Sequence, residues 1–537
     1  MASAAPLAMA RQARAERDAH AFSLNAGQPT PVKLARLDRA FKLMLESSEQ
    51  ASSKQRAWLE GALALRLVQI SGRAIEEIHA LKILPLVKAP DPGWPTPRLV
   101  QVLGYAPALW LEAGVAPHMG GNSAASHLVG PASHAVWLGL DRLSEDWLRC
   151  LHPRSQLSIS ERTAGNGHPL FAHGLAALKD GVEDFRDRAT RSMGSRDSDF
   201  LPNLEECTLY LKRYLAVCSP GDPAVSWLIT KTAPTRNATT SYYSSVSLRD
   251  ADRFQRDAVT QADSSSALAG RTPLPNPDLP PVLADRVLGS RFCPSAKALA
   301  ELRDRLLSNA RIGRGAMTAM RASEVDHAFT AYSWLFFSLH AGWRPPRQLL
   351  PCPDDLDWAT GAFFLEDKPV RSRGAPVDAA EGEARIEPSY ELESRDEDSR
   401  LEQVDEAEAG ARRRWLPLGA RVMAQLRAFH IHVEARHKRL LAAPPLESRK
   451  DMMAYLKAVP GLDWDLPWNF PRHYLRSALV GKVSVEVINA YMGHWEAGAE
   501  PWWNGSCLDP VAYAHEARTA IDALFPECEW PVLVGFR

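Results

Sequence analysis

Apolar side chains recur every three to four positions over much of the chain, which is the spacing of amphipathic helices. The pattern is clear in Trp58–Ile78, Phe200–Val217 and Ala296–Asn309. Ser323–His340 is apolar on nearly every side and is followed by Gly342, so it predicts a buried helix that ends at the glycine. These patterns predict a protein built mainly from helices.

Two short segments of the C-terminal half favour strands instead. Leu356–Lys368 carries aromatic and apolar residues on both sides of Gly361, as a hairpin does, and Arg413–Leu418 has the length of one strand. A long helix is predicted over Gly419–Leu441, two more flank Met492, and a last one begins near Asp509. The predicted fold class is therefore α+β, mainly α with a small antiparallel β-sheet.

Breaks in the pattern divide the chain into several predicted domains. Residues 1–90 form a helical region without an assigned role, and a proline-rich stretch separates them from a second helical domain over 100–263. Residues 264–289 are rich in Ser, Pro, Leu and Asp, a composition typical of a linker. Residues 290–537 form the predicted C-terminal domain.

The charge of the chain is uneven. The 537 residues carry a net charge of -1, but residues 374–411 alone hold 13 acidic residues and three arginines. The remainder has 60 basic against 51 acidic residues, a charge of +9. A modestly basic body with one acidic insertion is compatible with DNA binding, which the total charge conceals.

Other classes of protein fit the sequence less well. The seven cysteines are scattered, with no CxxC pair and no zinc-ligand spacing, so neither a metal nor any other cofactor is expected. The N-terminus has no apolar signal region, and the longest apolar run, Ala331–Trp343, is too short to cross a bilayer. We expect a soluble protein of the cytoplasm, without a membrane partner.

Arginine and histidine side chains suited to a phosphate occur in three places. Arg344 follows the predicted buried helix in HAGWRPPRQLL, where a guanidinium can donate two parallel hydrogen bonds to a phosphate. His473 and Arg476, in PRHYLRSAL, share a helix face because they are three residues apart. His494 follows a glycine in MGHW, where a tight turn would present it. Taken singly, each residue also fits a plain structural role, such as a surface salt bridge.

A tyrosine and a lysine complete the set of candidates. Asp509 and Pro510 suit the start of a helix, which places Tyr513 in its first turns, near the positive end of the helix dipole. A phenolate nucleophile gains from that position, although a buried structural tyrosine is the simpler alternative. Lys368 lies at the end of a predicted strand, within reach of a leaving oxygen; a solvated turn lysine is the alternative there.

Together, Arg, Lys, His-x-x-Arg, Gly-His and Tyr, in this order, resemble the tyrosine recombinase (phage-integrase) family. HAGWRPPRQL is similar to the family's helix-Thr-Gly-x-Arg segment, and KPVRS with the later RRRWLPLG is similar to its strand-turn-strand. PRHYLRSAL and MGHW are similar to its His-x-Leu-Arg helix and Leu-Gly-His turn. The resemblance covers about residues 290–525 and implies that residues 290–537 are a recombinase-like catalytic domain. It also implies that residues 100–263 are the family's helical DNA-binding domain.

The resemblance also implies an activity and a role for each residue. It implies cleavage and rejoining of double-stranded DNA through a 3′-phosphotyrosine, without metal or ATP, by an integrase of a mobile genetic element that acts as a synaptic oligomer. Arg344 and Arg476 would clamp the phosphate, His494 would add a hydrogen bond, His473 would be the base, Lys368 the acid and Tyr513 the nucleophile. Partner subunits would be copies of the chain or other recombinases of the same element.

Further residues are candidates for DNA contact. The segment Thr235–Phe254 combines hydroxyl groups with paired tyrosines, which suits a helix laid against a phosphate backbone, although a solvated helix fits as well. The candidates for DNA contact are Thr235, Arg236, Tyr242, Tyr243, Arg347, Arg371 and Arg373.

The match has departures, and three alternatives remain open. Tyr513 lies 19 residues after His494, about twice the usual family spacing, and Tyr491 is the nearest rival nucleophile. A type IB topoisomerase or a telomere resolvase would use the same chemistry. A DNA-binding accessory protein with a decayed site is the alternative from another class.

Overall fold

The computed structural model of the chain describes residues 29–48, 56–84, 86–87, 89–103, 105–114, 128–152, 167–195, 200–218, 220–231, 243–264, 279–311, 317–343, 349–366, 413–439, 441–494 and 508–536. The chain divides into two compact units. Unit 1 comprises Met1–Ala116, Pro131–Ser241 and Ser245–Gly289, and unit 2 comprises Pro117–Gly130, Tyr242–Ser244 and Ser290–Arg537. The domain boundaries predicted near residues 90 and 264 stay predictions.

Unit 1 combines helices with two small sheets. Its helices are α1 (Pro31–Ser48), α2 (Arg56–Ser71), α3 (Ile75–His79), α4 (Arg142–Leu151), α5 (Leu175–Ser192), α6 (Leu204–Arg213), α7 (Pro223–Thr230), α8 (Leu248–Ser264) and α9 (Pro281–Ala284). Its strands are β1 (Lys82–Ile83), β2 (Arg98–Val100), β3 (Ala108–Glu112), β4 (Ala135–Gly139), β5 (His168–Pro169), β6 (Ser245–Ser247) and β7 (Val287–Gly289). Helices from both sides of residue 90 pack together here: a Cβ atom on Gly61 of α2 would lie 2.2 Å from the carbonyl carbon of Gly181 in α5.

The sheets of unit 1 correct the prediction that residues 100–263 form a helical domain. Five strands lie in the order β4-β3-β2-β1-β5, antiparallel except for the β1–β2 pair, while β6 and β7 form a separate antiparallel pair. β3 and β4 each begin with four buried residues in succession. A strand that is buried on both faces lacks the alternation that identifies strands, so it resembles a buried helix in sequence.

Two predicted helices also begin later than expected. The helix predicted over Phe200–Val217 begins at Leu204, because Asn203 caps it: the Asn203 side chain accepts from the Glu206 amide at 2.8 Å. Its last predicted turn is a π-helical segment, Tyr214–Cys218. Within Thr235–Phe254, the described residues form β6 before α8 starts at Leu248, so a continuous helix there is wrong.

Unit 2 contains the remaining helices and a three-stranded antiparallel sheet. The helices are α10 (Ala296–Ala310), α11 (Ala319–Ala341), α12 (Ala420–Arg436), α13 (Arg449–Ala458), α14 (Phe470–Leu479), α15 (Val485–Met492) and α16 (Pro510–Leu524). The strands are β8 (Leu356–Asp357), β9 (Ala362–Glu366) and β10 (Arg413–Pro417), with β9 central. The coarse prediction, mainly α with a small antiparallel sheet, is confirmed.

The apolar helix α11 is the centre of the unit 2 core. Every residue from Ala328 to Ala341 is buried, and the ring of Trp334 stacks on that of Trp468 at 4.5 Å. Such all-round burial explains why the segment showed no polar face in sequence. No described helix carries an apolar stretch of the length and hydropathy that a bilayer crossing requires.

The end of α11 brings two later segments together. Gly342 ends the helix in the left-handed conformation, with φ of +54°. A Cβ atom there would lie 3.1 Å from both Leu475 of α14 and the sulfur of Met492 at the end of α15. The predicted helix stop at Gly342 is confirmed, and the close packing around it places the PRHYLRSAL helix beside the MGH turn.

Candidate active site

Helix α14 carries a row of basic side chains on one face. Arg472, His473 and Arg476 are all buried, the latter two completely. Residues at i, i+1 and i+4 of a helix lie within about 100° of one another around its axis, so all three can face the same neighbours. Burial of charged side chains is expensive unless they are hydrogen-bonded, so this face is built for polar contacts.

His473 is fixed in orientation by a serine. Its Nδ1 lies 2.7 Å from the hydroxyl of Ser290. Ser290 is itself anchored, because its amide donates to the Ser244 carbonyl at 2.8 Å and its hydroxyl accepts from the Phe292 amide at 3.2 Å. The ring of Phe292 also packs edge-on against the imidazole at 5.5 Å. The result is an imidazole held through Nδ1, with Nε2 turned away from Ser290.

His494 is presented by a tight turn, as its sequence predicts. Gly493 has a φ of +69°, and the His494 amide donates to the Asn489 carbonyl at 2.9 Å. Glycine adopts this left-handed conformation at little cost, whereas other residues rarely do. The half-buried imidazole then meets Arg472, whose Nη2 lies 3.1 Å from Nε2 of His494. The Gly-His turn and α14 thus meet at a direct side-chain contact.

Tyr243 lies between the two histidines. Its ring is stacked on His494 at 5.3 Å and tilted against His473 at 4.6 Å, and the guanidinium of Arg472 lies 5.2 Å from its centre. The side chain is only 4% exposed. Tyr243 was a candidate for contact with DNA from an exposed helix, but its described position is inside this histidine and arginine cluster.

Positive charge converges on His494. Burial, followed by the positive charges of Arg472, Arg476 and Arg414 and by the basic side chain of His473, holds the pKa of His494 well below its ordinary value. Since like charges disfavour protonation, His494 is a neutral imidazole at neutral pH and can donate one N–H. A cluster of this charge is suited to an anionic ligand.

Arg414 is a site residue that the sequence analysis did not select. It lies on β10, is 2% exposed and acts electrostatically on His494, Tyr513 and Tyr491. A signal for it was present: alternation along the predicted strand Arg413–Leu418 places Arg414 on the same face as the buried Leu416. Arg472 also had a signal, since it is four residues before Arg476 on one helix.

Tyr513 lies where the helix start predicts, with a buried phenol. The Asp509 side chain caps α16 by accepting from the Val511 amide at 2.9 Å, and Pro510 occupies the first turn. The hydroxyl of Tyr513 lies 3.3 Å from the Trp415 carbonyl, to which it donates. Burial and the neighbouring Tyr491 raise the pKa of Tyr513 well above its ordinary value, while Arg414 opposes them. In this arrangement the phenol is protonated.

Three of the catalytic candidates that the structure describes lie in one cluster, and a fourth, Tyr513, lies outside it. His473, Arg476 and His494 share a cluster with Arg472 and Tyr243, and the charge of Arg414 acts both on His494 and on Tyr513. The other predicted residues lie outside the described residues: Arg344, Arg347, Lys368, Arg371, Arg373, Thr235, Arg236 and Tyr242, together with the acidic segment 374–411. Among the described residues, no group of His, Cys, Asp and Glu side chains is arranged to hold a metal ion.

His340, the second-to-last residue of α11, is expected to make stability depend on pH. It is 1% exposed, its carbonyl accepts from the Tyr491 hydroxyl at 2.7 Å, and burial lowers the pKa of His340 to about 3. The unfolded chain takes up a proton below pH about 6.5 and the folded chain does not. The contribution of neutral His340 to stability is fully present above pH about 6.5. Below that value, we expect the free energy of unfolding to fall by about 1.4 kcal/mol per pH unit as the pH drops towards 3.

This prediction is checked by urea unfolding followed by tryptophan fluorescence at pH 7 and pH 5. Replacing His340 with phenylalanine, which keeps an aromatic ring between Phe336 and Phe525, should remove about 2 kcal/mol of the loss between these two pH values. The exposed His515→Gln change leaves His340 in place and should keep the whole loss. An unchanged pH dependence in His340→Phe would contradict the assignment.

Comparison with known proteins found no family model, curated protein or solved structure that matches this chain.

Proposed function

We propose that this chain is a DNA strand transferase of the tyrosine recombinase type, with unit 2 as its catalytic unit. The observation that carries the proposal is the convergence of His473, Arg476 and His494 on one basic cluster, together with Arg414, whose charge acts on both His494 and the phenol of Tyr513. These residues come from α14, the turn after α15, β10 and α16, so only the folded chain brings them together. Their order and local motifs are those of the resemblance found in the sequence.

The basic cluster would stabilise the reacting phosphate. Attack on a phosphodiester concentrates negative charge on its non-bridging oxygens, and preorganised donors lower that barrier. Arg476 would hold these oxygens with parallel hydrogen bonds, as Arg344 would from its position after α11. His494, neutral at the pH of the reaction, would add an N–H.

Tyr513 would be the nucleophile. Its hydroxyl oxygen would attack the phosphorus, its proton would pass to a base, and the bond to the 5′ oxygen would break. His473 is the candidate base, and Lys368 would give its proton to the departing 5′ oxygen. The 3′-phosphotyrosine keeps one phosphoester bond for each bond broken, so rejoining needs no ATP.

The proposed reaction requires the Tyr513 phenol to change its position. The Tyr513 hydroxyl donates to the Trp415 carbonyl, and its side chain is 0% exposed. The phenol must leave this carbonyl before it can reach a phosphate. We therefore propose that duplex DNA, together with further copies of the chain, draws Tyr513 into the basic cluster, where Arg414 would favour the phenolate.

A trapping experiment tests the proposed activity. The full chain is incubated with a pool of nicked duplexes of random sequence, the reaction is stopped with detergent, and adducts are digested and sequenced by mass spectrometry. We expect a Tyr513 peptide that carries a 3′-linked nucleotide. DNA that binds without forming an adduct would favour an accessory protein, the alternative with which the buried phenol agrees. Relaxation of supercoiled plasmid without exchange between sites would favour a type IB topoisomerase.

A further inference from the structure

Arg472 connects three segments that the sequence marks as functional. Its Nη1 donates to the Gly342 carbonyl at 3.1 Å, two residues before Arg344, and its Nη2 donates to the Met492 carbonyl. The same Nη2 lies 3.1 Å from Nε2 of His494. The side chain is 7% exposed, so these contacts are made away from bulk water.

The contact with His494 determines which ring nitrogen carries the proton. A guanidinium has only donors, so Nε2 of His494 must accept from Arg472. A neutral imidazole has one N–H and one acceptor nitrogen, which leaves the proton on Nδ1. Burial of the ring keeps it neutral, together with the basic groups that face it: Arg472, Arg476 and His473 from α14, and Arg414 from β10.

The Nδ1 atom of His494 has no acceptor among the residues that the structure describes. It is buried, yet it forms no hydrogen bond with a described group. A buried N–H without a partner is costly, and native proteins nearly always supply one from protein, water or ligand. Tyr243 stacks on the ring at 5.3 Å with an interplanar angle of 20°, so the direction of the Nδ1–H bond is set by packing.

We propose that Arg472 is a positioning residue that keeps the only proton of His494 on Nδ1, so that Nδ1–H is donated to an anionic oxygen of the ligand. The identification of that ligand as a phosphodiester rests on the proposed function. The tautomer itself follows from the contacts of Arg472 and His494, whatever reaction the site performs.

Nitrogen NMR of the full chain, with its histidines labelled with ¹⁵N, tests the tautomer without any assay of activity. The His494 signals are assigned by their loss in a His494→Gln variant. We expect a protonated Nδ1 and an unprotonated Nε2 at pH 7. A protonated Nε2, or two protonated nitrogens, would overturn the proposal.

Variants of Arg472 test its part in this arrangement. Arg472→Met removes the donor, so both tautomers should become populated and the titration midpoint of His494 should move upward, because one facing charge is gone. Arg472→Lys keeps a donor and should preserve the Nδ1–H form. An unchanged tautomer and midpoint in folded Arg472→Met would contradict the assignment. If that variant does not fold, the wild-type and lysine spectra still decide the question.

DNA cleavage by His494 variants, on the nicked duplex pool, links the tautomer to function. The amide nitrogen of asparagine lies near the position of Nδ1, whereas that of glutamine reaches the position of Nε2. His494→Asn should therefore keep at least about tenfold more cleavage than His494→Gln. Equal loss in both, with the expected NMR result, would remove the role in the reaction but not the positioning by Arg472. No cleavage by the wild type would refute the proposed function alone.

Discussion

Replacing Tyr513 with phenylalanine is expected to abolish covalent attachment of the protein to DNA while leaving DNA binding intact. The change removes only the hydroxyl, which the structure shows donating to a backbone carbonyl at 3.3 Å. Loss of a nucleophile removes the covalent route completely, so adduct formation should fall by at least about 10³-fold. Trapping on nicked duplexes measures the adduct, and a filter-binding assay of the same samples measures binding.

Tyr491 provides a matched control for this prediction. It is also a buried tyrosine of unit 2 whose hydroxyl donates to a backbone carbonyl, that of His340 at 2.7 Å. Tyr491→Phe should lose the same kind of hydrogen bond and keep the adduct. Because Tyr491 precedes the Gly-His turn, it is also the rival nucleophile. An adduct that disappears in Tyr491→Phe and persists in Tyr513→Phe would transfer the role to Tyr491.

Removing the guanidinium of Arg476 is expected to have the second largest effect. Arg476 is completely buried on α14, and in the proposed reaction it donates to the oxygens that gain charge. Loss of one such donor typically lowers the rate by about 10² to 10³-fold, so Arg476→Ala should cut cleavage to that extent. Arg476→Lys should recover little, since an ammonium lacks the two parallel donors. Single-turnover cleavage of nicked duplexes measures both variants.

A stability measurement must accompany this test, because a buried arginine also fills space. Arg476→Ala leaves a cavity in α14, and urea unfolding shows how much of the variant is folded under assay conditions. Arg321→Ala is the matched control: its guanidinium pairs with Glu324 at 2.8 Å on α11, and its removal should leave cleavage unchanged. Near-normal cleavage by folded Arg476→Ala would end the phosphate-clamp hypothesis.

The sequence alone was sufficient for the elements whose signals are local. The α11 run and its stop at Gly342, the cap of α16 at Asp509 and the left-handed turn at Gly493 appear as predicted. Each depends on residues within about one turn of one another, such as a glycine free of steric restriction or a side chain that caps an amide. The His-x-x-Arg pair likewise shares a helix face because of helical spacing alone.

Tertiary structure decided the features that depend on distant partners. The five-stranded sheet of unit 1 had no alternating pattern, because β3 and β4 are buried by other elements. Tyr243 was expected on an exposed helix but is buried against His473 and His494, which lie more than 200 positions later in the chain. Arg414 and Arg472 carried a local signal, a strand face and a helix face, but the groups they contact or act on in the fold identified them as candidate site residues.

The division has one physical reason. Turns, caps and helix faces are set by the steric and hydrogen-bonding preferences of neighbouring residues, so they can be predicted from the amino-acid sequence. The neutral state of His494 and the protonated state of Tyr513 depend instead on burial in the packed unit and on charged neighbours such as Arg414. The residue types and their order came from sequence, but their convergence, and the hydrogen bond that now occupies the Tyr513 hydroxyl, came only from the fold.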